Sequence, residues 1–234
     1  MQAVLKLTES AGSGKLMAVS SKVSDATIYR LSLYHCYVGE LLRTGDSGKI
    51  RSRQLAEELG IKEESVRRDL SFIGGVGRPG SGYEAQVLFQ ALQEYLGLSD
   101  EYPIVRIGSV QMIEALSVVF PPHSYGVKPV AYYSEIHADA GKMVHGIEVR
   151  HIAEIPALNP ALGVDVALVA CSPGWVSATL AMLSSAGVSG VLLLTPAIRL
   201  DKPEGMTITH VRMPCDIKSL ACRCQVRRDP NEGE

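Results

Sequence analysis

The stretch IRSRQLAEELGIKEESVRRDLSFIGGVGRPGSGY, residues 50–83, constrains this chain more than any other part of it. Ser52 stands where a helix cap is needed, Leu55, Ala56 and Leu59 then share one face, and Gly60 offers a left-handed stop. A second helix is expected from about Lys62, so the spacing predicts a helix-turn-helix. In that helix Val66, Leu70 and Ile73 recur at helical intervals as a buried stripe, which turns Lys62, Ser65, Arg67, Arg68 and Ser71 partly or wholly toward solvent. These are donors suited to phosphates and base edges. Glu63 and Glu64 suit the helix dipole in the first turn; phosphate would repel them, although an acid there can accept from cytosine N4. Beyond the helix Gly74, Gly75, Gly77, Gly80 and Gly82 surround Arg78 and Pro79, predicting a tight hairpin closed by Tyr83 and shaped like a wing. The competing reading is a small three-helix core whose exposed face is merely charged. Agreement of cap, stop, stripe and glycine-rich hairpin favours DNA binding, with Arg51, Ser52, Arg53, Lys62, Glu64, Ser65, Arg67, Arg68, Ser71, Arg78, Gly80 and Tyr83 as the contact set.

The rest of the composition limits how such a unit can work. A net charge of −2 gives no overall basic field, so a polyanion must be met by a local patch of Arg51, Arg53, Arg67, Arg68 and Arg78. With 234 residues, 46% of them hydrophobic, the chain suits two small domains, or one with an extension. Its five cysteines, Cys36, Cys171, Cys215, Cys222 and Cys224, follow no secreted-scaffold spacing and read as reduced thiols. Lys6, Glu9 and Lys15 break the N-terminal apolar residues, and no apolar run reaches membrane-spanning length. The expectation is a soluble cytoplasmic protein with a flexible start at residues 1–24.

Around the helix-turn-helix the pattern is helical. Residues 24–44 place Ile28, Leu31, Tyr34, Val38 and Leu41 on one face, and residues 84–96 place Val87, Leu88, Ala91, Leu92 and Tyr95 on another before Gly97. A domain over 25–98 follows, then a short linker. From residue 104 the period changes: IVRIG, VKPVAYYS, IEVRHI, VDVALVAC and GVLLLT are apolar and β-rich, and SVQMIEALSVV and GWVSATLAMLSSAG between them are helical. Near-continuous apolar strands alternating with helices predict a parallel sheet covered on both faces, a Rossmann-like α/β domain over 103–212. A last helix at 213–226 and a polar tail at 227–234 complete the chain.

The segments ESVRRDLSFIG and VGRPGSGY, then ALQEYLGL, GVSGVLLLTPAIRL and KSLA, resemble the Rex family of bacterial redox-sensing transcriptional repressors over residues 26–226. The resemblance implies a winged-helix DNA-binding domain and a Rossmann domain that binds NADH or NAD⁺. It also implies a homodimer that exchanges its C-terminal helix and a repressor that leaves DNA when NADH binds. A retained cofactor site would use Gly108, Ser109, Val110, Gln111, Met112, Ser134, Glu135, Cys171, Ser172, Pro173, Thr195 and Pro196.

That site departs from the family pattern. The fingerprint G-x-G-x-x-G needs a tight turn, a bare second position beside the pyrophosphate, and a third glycine for close helix–strand packing. Only Gly108 is present: Val110 is expected to put a β-branched side chain where the pyrophosphate would lie, and Ile113 to push helix and strand apart. Ser134 falls at the family's ribose-binding aspartate, and Glu135 points to the opposite face if its strand is regular. Cys36 and Arg212 stand where the family pairs an arginine with an aspartate in its switch, and Pro79 replaces a basic residue of the wing. Two explanations compete, a divergent regulator that has lost or altered NAD(H) sensing and one that still binds NAD(H) through a rearranged loop; the departures favour the first. A helix N-terminus after Gly108 would still offer N–H groups to another nucleotide or anion.

Other constellations carry less. Cys222 and Cys224, two apart on a helix, do not face each other, and Cys215 lies two turns before Cys222, so a metal or thiol sensor is disfavoured. His35, His123, His137, His145, His151 and His210 show no ligand spacing. Cys171, at the start of a helix after a strand, lacks a nearby base for nucleophilic chemistry, and Trp175 reads as a core residue. An NAD-dependent oxidoreductase would need a proton relay that the sequence does not offer, so no enzyme is expected, and a DNA-binding scaffold without effector is the third alternative.

Overall fold

The computed structural model describes residues 23–45, 48–74, 81–98, 101–121, 125–197 and 200–228, the last three by backbone alone. They form two compact units that part between Glu101 and Tyr102. The expected flexible start and polar tail lie outside the described residues, apart from residues 23–24 and 227–228.

In the first unit Ser24 caps α1 (Asp25–Arg43) by accepting from the Thr27 N–H. A short β1 (Lys49–Ile50) precedes α2 (Ser52–Leu59), which Gly60 closes at φ 65°. The α3 helix is Glu63–Ser71, β2 is Tyr83–Glu84, and α4 is Ala85–Tyr95. Leu31, Tyr34, Val38, Leu55, Val66, Leu88 and Leu92 are fully buried in one core. β1 and β2 pair antiparallel, Ile50 opposite Tyr83, while residues 75–80 of the expected glycine-rich hairpin lie outside the described residues. Three expectations are corrected. Ser52 caps nothing: Arg51 is the N-cap of α2, without a side-chain bond, and the Ser52 hydroxyl instead donates to Glu63 Oε1 at 2.9 Å. Ile73 lies beyond the end of α3 and is only partly buried. Val87 is exposed, because Ala85 takes its place in the buried face.

The second unit is a seven-stranded sheet with the order β5-β6-β4-β3-β7-β8-β9. The strands are β3 (Tyr102–Ile107), β4 (Val127–Ser134), β5 (Met143–Val144), β6 (Ile147–His151), β7 (Val166–Val169), β8 (Gly190–Leu193) and β9 (Thr207–His210). All ladders are parallel except the antiparallel pair of β5 with β6. With β5 set aside, the strands fall in the 3-2-1-4-5-6 order of a dinucleotide-binding sheet. Helices α5 (Val110–Val119) and α6 (Val176–Ser185) link strands, and α7 (Met213–Arg228) ends the described chain. Alternation divides the core. Val105, Ile107, Tyr133 and Val169 join Val176, Leu180 and Leu183 of α6, whereas Tyr132 and Val149 join Val110 and Ile113 of α5. β5 and β9 are absent from the sequence reading, being a two-residue hairpin arm and a polar-alternating edge strand. Trp175, expected in the core, is 41% exposed.

Candidate nucleic-acid interface and ligand cleft

The face that the helix-turn-helix offers to solvent is built from α2 and α3. Burial of Val66, Asp69 and Leu70 leaves Lys62, Glu64, Arg67, Arg68 and Ser71 exposed and Ser65 half-buried, with exposed Arg51 and Arg53 beside them. Arg67 Nη2 donates to Glu63 Oε1 at 2.6 Å, Arg53 Nε to Glu57 Oε1 at 2.7 Å, and Arg68 lies 3.6 Å from Glu64. The Ser52 and Arg67 donors hold the Glu63 carboxyl below its ordinary value. These pairs lie in solvent, so each is weak and can exchange its carboxylate for a phosphate. Arg51 and Lys62 make no ion pair among the described residues. The wing residues Arg78 and Gly80 lie outside the described residues.

Helix α3 is fastened to α1 through a buried acid. Asp69, 1% exposed, receives Arg30 Nε at 2.6 Å, Arg30 Nη2 at 2.7 Å and the Tyr34 hydroxyl at 2.9 Å. Burial first, and the bond to Asp69 second, push the Tyr34 hydroxyl well above its ordinary value. This bidentate pair sets how α3 lies on α1.

The second cleft is at the carboxyl ends of β3 and β7, where the strand order reverses. Gly108 sits against the neighbouring loop: a Cβ there would lie 3.0 Å from the Ala170 carbonyl oxygen, so only glycine fits. Ser109 caps α5 by accepting from the Met112 N–H at 3.2 Å. The Val110 N–H donates to Asp139 Oδ2 at 2.9 Å. Among the described residues Gln111 alone of these first-turn amides has no internal acceptor. Asp139 is 2% exposed and also receives the Ser134 hydroxyl at 2.9 Å and Lys142 Nζ at 2.7 Å. Burial works to raise its carboxyl, but the Lys142, Val110 and Ser134 donors outweigh that and hold it below the ordinary aspartate value.

Several expectations for this loop are corrected. The Val110 side chain does not enter the pyrophosphate position; it is 8% exposed and packs inward with Ile113, Tyr132, Val144 and Val149. Glu135 follows the last residue of β4 and turns across the strand ends, where its Oε1 accepts from Ser172 N–H and Ser172 Oγ, both at 2.8 Å. Among the described residues Glu135 Oε2 is buried without a hydrogen-bond partner. Cys171 does not line the cleft: it is 2% exposed, burial pushes its thiol up, and its Sγ lies 3.8 Å from Thr179 Oγ1. Ser172, Pro173 and Pro196 are exposed, while Thr195 is buried and donates to the Cys171 carbonyl. The sequence reading missed Asp139; the only signal for it is an acid five residues after Ser134. A dinucleotide's diphosphate needs first-turn amides and its ribose needs an acceptor at the end of the second strand. Here Asp139 takes the Val110 amide and the Ser134 hydroxyl, so the residues do not fit that group as they stand. Among the described residues no His, Cys, Asp and Glu cluster could hold a metal, and no helix is long and apolar enough to cross a membrane.

Comparison with known proteins agrees with both units. Residues 22–71 match the family model described as "Putative DNA-binding protein N-terminus". The redox-sensing transcriptional repressor Rex of Streptomyces avermitilis is 29% identical over 86% of this chain and 79% of its own length. Rex of Clostridium botulinum strain Alaska E43 is 26% identical over 91% of this chain and its whole length. Among solved structures, RSP, a Rex-family repressor, superposes with TM-score 0.71 at 24% identity, covering 90% of this chain and 95% of its own. RSP in complex with NAD⁺ and operator DNA superposes with TM-score 0.74, again at 24% identity, over 91% and 99%. With a helix-turn-helix in its first unit and a sheet of dinucleotide-binding order in its second, the chain is similar along nearly its whole length to the Rex redox-sensing transcriptional repressors.

Proposed function

We propose that this chain is a sequence-specific DNA-binding repressor that works as a homodimer, placing α3 in the major groove of each operator half-site. Lys62, Ser65, Arg67, Arg68 and Ser71 face the bases and phosphates; Glu64 is an acceptor for cytosine N4; Arg51, Ser52 and Arg53 meet the flanking backbone; and Arg78, Gly80 and Tyr83 form the wing. The observation that carries this reading is the exposed basic edge of a helix whose other face is locked by Val66, Leu70 and the Arg30–Asp69 pair. Support comes also from RSP, which was solved on operator DNA. The dimer rests on the resemblance and on α7, whose Met213, Ile217 and Leu220 are more than half exposed in one chain.

For the effector, the α5 N-terminus supports altered NAD(H) sensing, because its Val110, Met112 and Ile113 N–H groups already have acceptors within the chain. A second reading, a repressor released by NADH through a rearranged cleft, is favoured by the retained strand order and by RSP structures with NAD⁺ and NADH. The DNA reading is tested by selecting an operator from random duplexes and titrating it with Arg67→Ala and Arg68→Ala. A side chain that reads a base should cost about 1–3 kcal/mol of operator affinity and relax preference at its position. Unchanged affinity in both variants would sink the assignment.

A further inference from the structure

One short segment sends two carboxylates to the switch point. Asp139 reaches the first amide of α5 from 29 residues away, although Ser109 already caps that helix. Glu135, from the same segment, takes the N–H and hydroxyl of Ser172, the residue that caps the 3-10 turn leading into α6. An N-terminal helix end is a receptor for anions, because its N–H groups are unpaired and the dipole favours negative charge. At α5 the first N–H of that receptor is taken from within, and neither carboxylate is loosely placed. Asp139 is fixed by Val110, Ser134 and Lys142, and Glu135 by two bonds to Ser172.

We propose that Asp139, seconded by Glu135, is an internal anion that occupies the diphosphate receptor of the Rossmann unit and excludes dinucleotides from it. Asp139 thereby decides the ligand selectivity of the cleft. It blocks in three ways: it consumes the Val110 N–H, it consumes the Ser134 hydroxyl at the ribose end, and it adds negative charge where a diphosphate would bring more. Lys142, which would attract a phosphate, is engaged by the same carboxylate. The inference deepens the reading of a Rex-type repressor with altered NAD(H) sensing and rests on it.

The test titrates full-length protein with NADH by calorimetry and measures operator binding on the same preparations. The wild-type protein should give weak or no NADH binding. Asp139→Ala, which frees Val110 N–H, Ser134 and Lys142, should tighten NADH binding at least about tenfold, with operator affinity retained. Asp139→Asn, which can still accept from Val110 but lacks the charge, should show a smaller gain; if the alanine variant does not fold, a gain in the asparagine variant supports the proposal and none overturns it. Tight NADH binding by the wild-type protein that Asp139→Ala weakens would overturn it, making Asp139 a ligand-holding group. So would a folded Asp139→Ala that binds NADH no better. Loss of operator binding in every preparation, wild type included, would instead count against the DNA reading and leave the NADH comparison intact.

Discussion

Asp69 is the residue on which the DNA-reading face depends most. It is buried to 1%, and its donors Arg30 and Tyr34 come from α1, 39 and 35 residues earlier. Removing a carboxylate from such a pair strands the buried Tyr34 hydroxyl and leaves a guanidinium with only its exposed part in water. Asp69→Ala should therefore cost about 3 kcal/mol in urea denaturation, toward the lower end for a buried pair because Arg30 is partly exposed. Asp69→Asn, which can keep the Tyr34 bond, should cost less. A loss below about 1 kcal/mol for Asp69→Ala would place this pair with ordinary surface contacts. Periodicity in the sequence finds Val66 and Leu70 because apolar residues announce burial by spacing alone. It passes over Asp69, since a buried acid is intelligible only once distant partners are brought to it. Asp139 escaped for the same reason: its acceptor role needs Val110, Ser134 and Lys142 together.

At the scale of elements, the sequence is most legible where the period is strong and least legible where a chain end or an edge decides. α1 and α3 follow their apolar spacing at Leu31, Tyr34, Val38, Val66 and Leu70. β9 does not, because Thr207, Thr209 and His210 give an edge strand no apolar run to recognise. The expected clash at Val110 failed because the rotation of α5 turns that residue onto Tyr132 and Val149, away from the switch point. Helix α7 is the element with least support in a single chain: its residues are exposed from Met213 through Gln225, including the apolar Ile217 and Leu220. Isolated helices of this length are marginal in water, so the proposed dimer is expected to stabilise α7 by burying it. Truncation before Met213 should convert the dimer to a monomer in sedimentation and weaken operator binding, because two half-sites are no longer held by one body. A truncated protein that sediments as a dimer at the same concentration would show that α7 does not hold the two chains together.

At the scale of the molecule, an acidic chain with net charge −2 carries a DNA-reading unit whose basic side chains are mostly paired to neighbouring glutamates. Long-range attraction to DNA is therefore modest, and affinity must come from close contacts made after those weak pairs open. The second unit keeps the strand order of a dinucleotide-binding sheet while Asp139 takes the first amide of α5 and Glu135 binds Ser172 beside it. The helix-turn-helix and the parallel α/β class of the second unit could be read from the sequence, and so could the departure from the fingerprint; the strand order, with β5 and β9, could not. Nor could what fills the cleft. The account as a whole is tested most directly by one titration: operator DNA bound by the full-length protein, with and without saturating NADH. We predict saturable, sequence-specific binding whose affinity NADH leaves unchanged. Release of the operator by NADH would contradict the account, because the cleft would then still be a redox-sensing dinucleotide site.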